Sequence, residues 1–319
     1  MIKSEIYNDP RFIDIGDLPT GFAPYSFKEL FARPFTVKEL TLLYQGSNST
    51  YAGISHIIRA VNMAVSCDVN DLTDGDFEYV MAWLRLNSYP KAPNQVHWTC
   101  KRAVVSEPDT DNLRPDYFDA SETELKLKGL VRRHCNEKNV EIVHNAKMEI
   151  HTLDDADLII PYEGLDFPRV ATFNEFKRLI KEHPESEHEA KAARWIKEGK
   201  TLAEKIKLLN ESDIDLYEKI LECQTRYYHG ISESMTLKCR VCKNIVKHTS
   251  YPDVRTFFAS NSEQNILDMQ YTLLSELKMQ PDDDMPAKTL LYHYSSLAKD
   301  KQEEQERENL RKAVRKKVR

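Results

Sequence analysis

Residues 72–100 have the sequence LTDGDFEYVMAWLRLNSYPKAPNQVHWTC, and this stretch decides the fold class. Thr73 precedes an acidic first turn, a pattern typical of a helix start, and apolar residues then recur at the helical period from Phe77 to Leu84. Pro90 ends that helix, and the segment from Val96 to Val105 has the composition of a strand. A helix followed by a β finger that contains a cysteine predicts a mixed α+β fold.

The landmarks of this stretch recur in the second half of the chain in the same order. Four segments have counterparts further along, three of them at offsets of 136 to 139 residues. The pairs are Leu18–Gly21 with Ile160–Gly164, Arg33–Leu40 with Arg169–Phe176, Leu72–Glu78 with Leu209–Asp215, and Cys100 with Cys239. A repeat of this length predicts two tandem, duplicated helical modules over 1–150 and 151–260, each with a β finger, and a C-terminal helical tail over 261–319.

Local patterns assign several other segments. Thr36 and Glu39 have the spacing of a capping box and predict a helix start. Residues 106–124 are acidic, contain two prolines and predict a surface loop, whereas alternating apolar residues predict two strands between Gly129 and Ile150. One continuous helix is expected from Glu185 to Leu209.

The composition excludes several classes of protein. Of the 319 residues, 30% are charged and 41% hydrophobic, which is typical of a globular protein, and the net charge of −6 argues against a general polyanion binder. Only nine glycines are present, and the spacing of Gly16 and Gly21 is followed by Phe22 where a phosphate-binding loop needs lysine. No zinc-protease motif or nucleophile elbow occurs. We therefore predict that the protein is not an enzyme.

The N-terminal residues lack the apolar region of a signal peptide, and no stretch of about 18 apolar residues is available to span a bilayer. We expect the chain to be made in a reducing cytoplasm and to have no membrane contact. In that compartment the six cysteines are thiols or metal ligands rather than disulfides.

Cys239 and Cys242 form a C-x-x-C motif, the sharpest local signal in the chain. Two thiolates at this spacing can bind one metal ion, and a closed tetrahedral site needs two more ligands. Cys100 and Cys135 are the candidates, because both lie in predicted β segments that precede polar turns. We predict a four-cysteine zinc site that links the two modules.

Alternatives to this site remain open from the sequence. His97 or His134 could replace one of the cysteines, and the same four thiolates could hold an iron–sulfur cluster. The cysteines could also be unligated thiols or a redox pair. Cys67 and Cys223 lie on apolar helix faces and are predicted to be core residues.

The last residues, 299–319, are nearly all charged and change from acidic to basic along the chain. As a helix they would carry one apolar stripe, formed by Leu310, Val314 and Val318. Such a stripe could dock on a partner helix, and the alternative is a solvated tail.

Several segments together resemble the baseplate hub protein family of T4-like contractile-tailed bacteriophages. These segments are Leu18–Gly21 with Tyr25, Arg33–Pro34, Leu72–Tyr79 continuing into Leu84–Tyr89, and Trp98–Cys100. The resemblance implies a structural or assembly protein of the tail baseplate that contacts hub, wedge or tape-measure proteins, in multiple copies of a symmetric assembly in the virion. Members of that family often carry C-x-x-C in the first finger; here Lys101 follows Cys100, which leaves Cys135 to supply the other ligand.

A second hypothesis is a zinc-dependent nucleic-acid-binding protein. It would use the finger at Cys239, with Arg240, Lys243 and Lys247, together with the basic C-terminal tail. The mild negative net charge makes this reading the weaker one.

Overall fold

The computed structural model describes residues 9–47, 52–88, 94–108, 112–143, 147–154, 157–250, 266–279 and 281–317. Within them the helices are α1 Val37–Ser47, α2 Ala52–Ala64, α3 Asp74–Ser88, α4 Glu122–Leu127, α5 Phe173–Glu182, α6 Glu187–Ala193, α7 Leu202–Asn210, α8 Ile214–Arg226, α9 Ile266–Leu277 and α10 Ala287–Lys317. The strands are β1 Ile13–Asp14, β2 Phe31–Ala32, β3 Asn94–Thr99, β4 Ala103–Ser106, β5 Val131–His134, β6 Lys138–Val143, β7 Lys147–His151, β8 Gly230–Lys238 and β9 Ile245–Ser250. The fold is mixed α+β, which confirms the predicted fold class.

The strands form small sheets, three of two strands and one of three. The pairs are β1 with β2, β3 with β6, and β4 with β5, and the larger sheet has the order β7-β8-β9. None of the described helices combines the length and the apolar composition that a membrane span requires.

Contacts divide the chain into two compact units. Unit 1 comprises Met1–Pro90, Ile150–Ile231 and Pro252–Arg319, and unit 2 comprises Lys91–Glu149 and Ser232–Tyr251. These units follow boundaries different from those of the predicted modules, because the β segments at Cys100 and at Cys239 belong to the same unit. The duplication itself stays a prediction.

The start of α1 in unit 1 is fixed by a buried carboxylate. The backbone N–H and the hydroxyl of Thr36 donate to Oε2 of Glu39 at 2.7 and 2.6 Å, and Arg33 donates to both oxygens of Glu39 at 2.9 and 3.0 Å. Burial raises the pKa of Glu39, but the hydrogen bonds from Arg33 and Thr36 outweigh it and hold the pKa below its usual value. The predicted helix start is confirmed, with Arg33 as an additional partner.

A buried polar network in unit 1 explains why residues 72–79 matter for the fold. The carboxylate of Asp76 accepts hydrogen bonds from the hydroxyl of Thr20 at 2.6 Å and from the phenol of Tyr25 at 2.5 Å. The hydroxyl oxygen of Thr73 lies 2.8 Å from Nε2 of His229. This network joins the N-terminal segment, the start of α3 and the residue before β8, and it gives Asp76, Tyr25 and His229 hydrogen-bond partners inside the unit.

One core cluster of unit 1 lies around Phe167, Trp195 and Tyr227 and includes the buried Cys223, as predicted. Cys67 is also fully buried. The helix predicted from Glu185 to Leu209 is wrong, because the chain leaves α6 after Ala193 and begins α7 at Leu202. Gly199 lies between them with φ +86°, a conformation that a right-handed helix cannot contain.

Three predictions for this part of the chain are corrected. The loop expected over 106–124 includes the start of α4, where the hydroxyl of Ser121 accepts a hydrogen bond from the backbone N–H of Glu124 at 3.3 Å. The segment from Gly129 to Ile150 holds three strands, β5, β6 and β7, rather than two. The strand predicted over 96–105 is split into β3 and β4 by the residues around Cys100.

Candidate metal centre

The first two cysteines lie where one long antiparallel ribbon is interrupted. Pairing of Thr99 with Lys138 in β3–β6 and of Ala103 with His134 in β4–β5 keeps the same register on both sides of the break. At the break, the backbone N–H of Cys100 donates to the carbonyl of Glu137, and that of Cys135 donates to the carbonyl of Arg102, both at 2.9 Å. The two thiols are therefore diagonal neighbours across the ribbon, although 35 positions separate them in the sequence.

The other two cysteines lie at the tip of the β8–β9 hairpin. The ladder ends with Lys238 opposite Ile245, and the backbone N–H of Cys239 donates to the carbonyl of Asn244 at 2.8 Å. The backbone N–H of Lys243 donates to the carbonyl of Cys239 at 3.0 Å, which closes the turn that contains Cys242.

The structure brings all four predicted ligand residues together. Their sulfur atoms lie within 4.8 Å of one another, with 3.6 Å between Cys100 and Cys242 and 3.8 Å between Cys135 and Cys239. Cys135 is partly exposed and the other three are buried. The group is inside unit 2 and takes two residues from each of its two chain segments.

Both pairs share a backbone feature that the sequence analysis missed. The residue after the second cysteine of each pair has a left-handed conformation, with φ +50° at Asn136 and +57° at Lys243. This conformation aims the backbone N–H of Glu137 at the sulfur of Cys135 and that of Asn244 at the sulfur of Cys242. Asparagine tolerates the left-handed region better than most residues, so Asn136 was a detectable signal and Lys243 was not.

A second residue that sequence reasoning missed is Asn139, which is buried beside the sulfurs. Its amide nitrogen lies 3.7 Å from the sulfur of Cys239, and its amide oxygen accepts a hydrogen bond from the backbone N–H of Arg240 at 3.0 Å. The side chain of Arg240 forms an ion pair with Glu137. Asn139 therefore connects the ribbon to the tip of the hairpin.

The thiols differ in how easily they ionise. Burial raises the pKa of Cys239, but the backbone N–H groups of Cys242 and Val241 and the amide of Asn139 outweigh burial and bring that pKa to about 7. Burial is the main reason that the pKa of Cys242 is raised to about 12 and that the pKa of Cys135 is also raised.

The cysteines are also part of the core of unit 2. Its buried cluster contains Val104, Val105, Phe118 and Leu125 together with three of the four cysteines. The predicted substitute ligand His134 is exposed, and its Nδ1 lies 3.2 Å from the carbonyl of Lys101. Among the described residues, the ligand group contains cysteine side chains alone.

Comparison with known proteins identifies the family. The sequence model of the family described as T4 bacteriophage base plate protein matches residues 22–259, about three quarters of the chain. The chain belongs to this family. The baseplate protein is thus a bacteriophage tail component, as the resemblance implied, and the matched region includes all four cysteines. Searches of curated proteins and of solved structures found no match.

Proposed function

We propose that the baseplate protein is a non-enzymatic structural or assembly component of the hub region and that it acts through contacts with other tail proteins. The family match over residues 22–259 carries this proposal. The segments that resemble hub proteins, among them Leu72–Tyr79, supply the finer assignment to the hub.

The described polar groups of unit 1 support a structural role. Asp76, Tyr25 and His229 are the kinds of side chain that catalyse reactions. Here Asp76 accepts from Tyr25 and Thr20, and Thr73 bonds with both Tyr25 and His229. Burial, together with the Asp76 carboxylate, raises the pKa of Tyr25 well above its usual value. These groups stabilise the fold and hold no acid or base free for a substrate.

A cavity of about 370 Å³ in unit 1 leads to the same conclusion. Asp71 and Asp166 line it together with Arg169, which donates to the carbonyl of Asp71 at 2.6 Å and pairs with Asp166 at 3.1 Å. The guanidinium also lies 5.4 Å from the ring centre of Tyr25. Because the chain itself engages this arginine, the cavity is poorly suited to bind an anionic substrate.

The C-terminal helix α10 supplies a surface for contacts. Its first turn is anchored by the buried Ala287 and Leu290, whereas residues 298–308 are exposed. The exposed part carries both signs of charge, with pairs such as Lys299 and Glu303. The side chains of the predicted stripe, Leu310, Val314 and Val318, lie outside the described part of the chain.

The test is cross-linking mass spectrometry on purified tails and on hub assembly intermediates. We expect the baseplate protein to cross-link to hub, wedge or tape-measure proteins and to be present in more than one copy per particle. Deletion of residues 299–319 should reduce incorporation without changing the melting temperature, because exposed surface pairs add little stability. Absence of the protein from tails and from intermediates would overturn the proposal.

The nucleic-acid alternative is less well supported. Arg240 is paired with Glu137, and the ammonium of Lys243 donates to the carbonyl of Arg240 at 2.6 Å, so two of the three proposed cations are engaged inside unit 2. Binding of the purified protein to DNA or RNA at physiological salt, with an affinity that falls steeply as salt rises, would favour this alternative.

A further inference from the structure

We propose that Cys100, Cys135, Cys239 and Cys242 hold a single Zn²⁺ ion and that unit 2 reaches its folded state only with this ion bound. The proposal goes beyond the role in the tail and does not depend on it, because it rests on the geometry of the thiols, their surroundings and the core of unit 2.

The distances between the four cysteine sulfur atoms fit a single bound ion. A tetrahedral zinc ion with Zn–S bonds of about 2.3 Å places any two of its sulfur atoms about 3.8 Å apart. The distances of 3.6 Å between Cys100 and Cys242 and 3.8 Å between Cys135 and Cys239 match this value. A disulfide requires about 2.05 Å, and all of these cysteines are free.

The same geometry decides between zinc and an iron–sulfur cluster, which the sequence left open. In a cluster the cysteines bind different iron atoms, so their sulfurs are spread around a body larger than one ion. Here all four sulfur atoms lie within 4.8 Å of one another, which leaves room for one ion between them.

The surroundings of the thiols fit a closed structural centre. Backbone N–H groups of Val241 and Cys242 point at the sulfur of Cys239, and those of Asn244 and Glu137 point at Cys242 and Cys135. Such hydrogen bonds stabilise the negative charge of bound thiolates and fix their orientation. Four protein ligands complete the tetrahedron, so no position is left for water or a substrate.

The size of unit 2 makes its fold dependent on the ion. The unit contains about 80 residues in two segments, and three of the seven buried members of its core cluster are cysteines of the centre. The apolar core of so small a unit supplies little stability, and a bound metal is one way in which small domains gain it. The ion would cross-link the ribbon to the β8–β9 hairpin. Residues 150–231 separate the chain segment of the ribbon from that of the hairpin.

Metal analysis and hydrogen exchange of the full-length protein, purified in reducing buffer, test the proposal. We expect one zinc per chain. Treatment with a chelator should abolish exchange protection in residues 94–143 and 232–250 and leave residues 173–226 protected, and added Zn²⁺ should restore it. Cobalt(II) added to the chelated wild-type protein should give the intense visible absorption of a tetrahedral thiolate site, which Zn²⁺ then removes.

Two cysteine variants provide a matched comparison. Cys242→Ser removes a ligand and should lose the zinc, whereas Cys223→Ala changes a buried cysteine in the core of unit 1 and should retain one zinc per chain. If Cys242→Ser fails to fold, the cobalt titration of the wild-type protein decides. Iron in place of zinc, a zinc-free protein with unit 2 fully protected, or one zinc retained in Cys242→Ser would overturn the proposal.

Discussion

At the scale of single residues, burial changes the ionisation of the Glu78 carboxyl. Its carboxylate lies on α3 near Asp74, with Lys177 and the backbone N–H of Ile231 also close. Burial raises the pKa of Glu78 to about 8, and the charge of Asp74 adds to the increase, while Lys177 and Ile231 oppose it. At neutral pH the folded protein therefore keeps this carboxyl protonated, whereas the unfolded chain ionises it.

This difference predicts a loss of stability as pH rises. A carboxyl whose pKa is higher in the folded state stabilises fully below its unfolded pKa, near 4.5, and loses that contribution by about pH 8. Glu78→Gln should raise the melting temperature at pH 8 by a few degrees and flatten its dependence on pH between 5 and 8. Glu182→Gln, at an exposed position on α5, is the control. Equal pH profiles for wild type and Glu78→Gln would contradict the assignment.

Gly75, at the start of α3, occupies a position that only a glycine fits. A Cβ atom there would lie 2.4 Å from the carbonyl oxygen of His229. Gly75→Ala should lower the free energy of unfolding by about 3 kcal/mol or more, measured by urea denaturation.

Gly164→Ala is the control for Gly75→Ala. Gly164 has φ +83° with open space around its Cβ position, so alanine there should cost only the strain of a left-handed residue, about 1–2 kcal/mol. A cost for Gly75→Ala no larger than that for Gly164→Ala would show that the contact with His229 is unimportant.

At the scale of elements, local signals predicted where helices begin better than where they end. Capping residues act within one turn, so Thr36 and Glu39 marked the start of α1. The end of α6 depends on Trp195 and Ile196 entering the core of unit 1, which is a tertiary effect. The long antiparallel ribbon was also invisible to local patterns, because it pairs residues 94–106 with residues 131–143.

The start of α7 carries a capping box, a local signal that the sequence analysis missed. The hydroxyl of Thr201 accepts from the backbone N–H of Glu204 at 3.2 Å, and the carboxylate of Glu204 accepts from the backbone N–H of Thr201 at 3.3 Å. Thr201→Ala should lower the free energy of unfolding by about 1 kcal/mol. Thr201→Asp should keep most of the stability of the wild type, because aspartate also caps helices; thermal denaturation measures both. An equal loss in both variants would argue against a capping role.

At the scale of the whole molecule, the sequence predicted the four thiols but not the unit that contains them. The C-x-x-C spacing and the β context of Cys100 and Cys135 are local features, so the grouping of the four thiols could be predicted. Two of the unit boundaries could not be predicted, because they lie inside β7 and inside β8. Because each strand continues across its boundary, no linker of distinctive composition marks that boundary in the sequence.

If the chain is a structural or assembly component of the tail baseplate, as we propose, tails should not be completed without it. Electron microscopy of lysates from a phage with a stop codon early in this gene tests it most directly. These lysates should contain few or no complete tails, and wild-type protein supplied in trans should restore them. Normal numbers of complete, infectious particles from the mutant phage, without complementation, would contradict it.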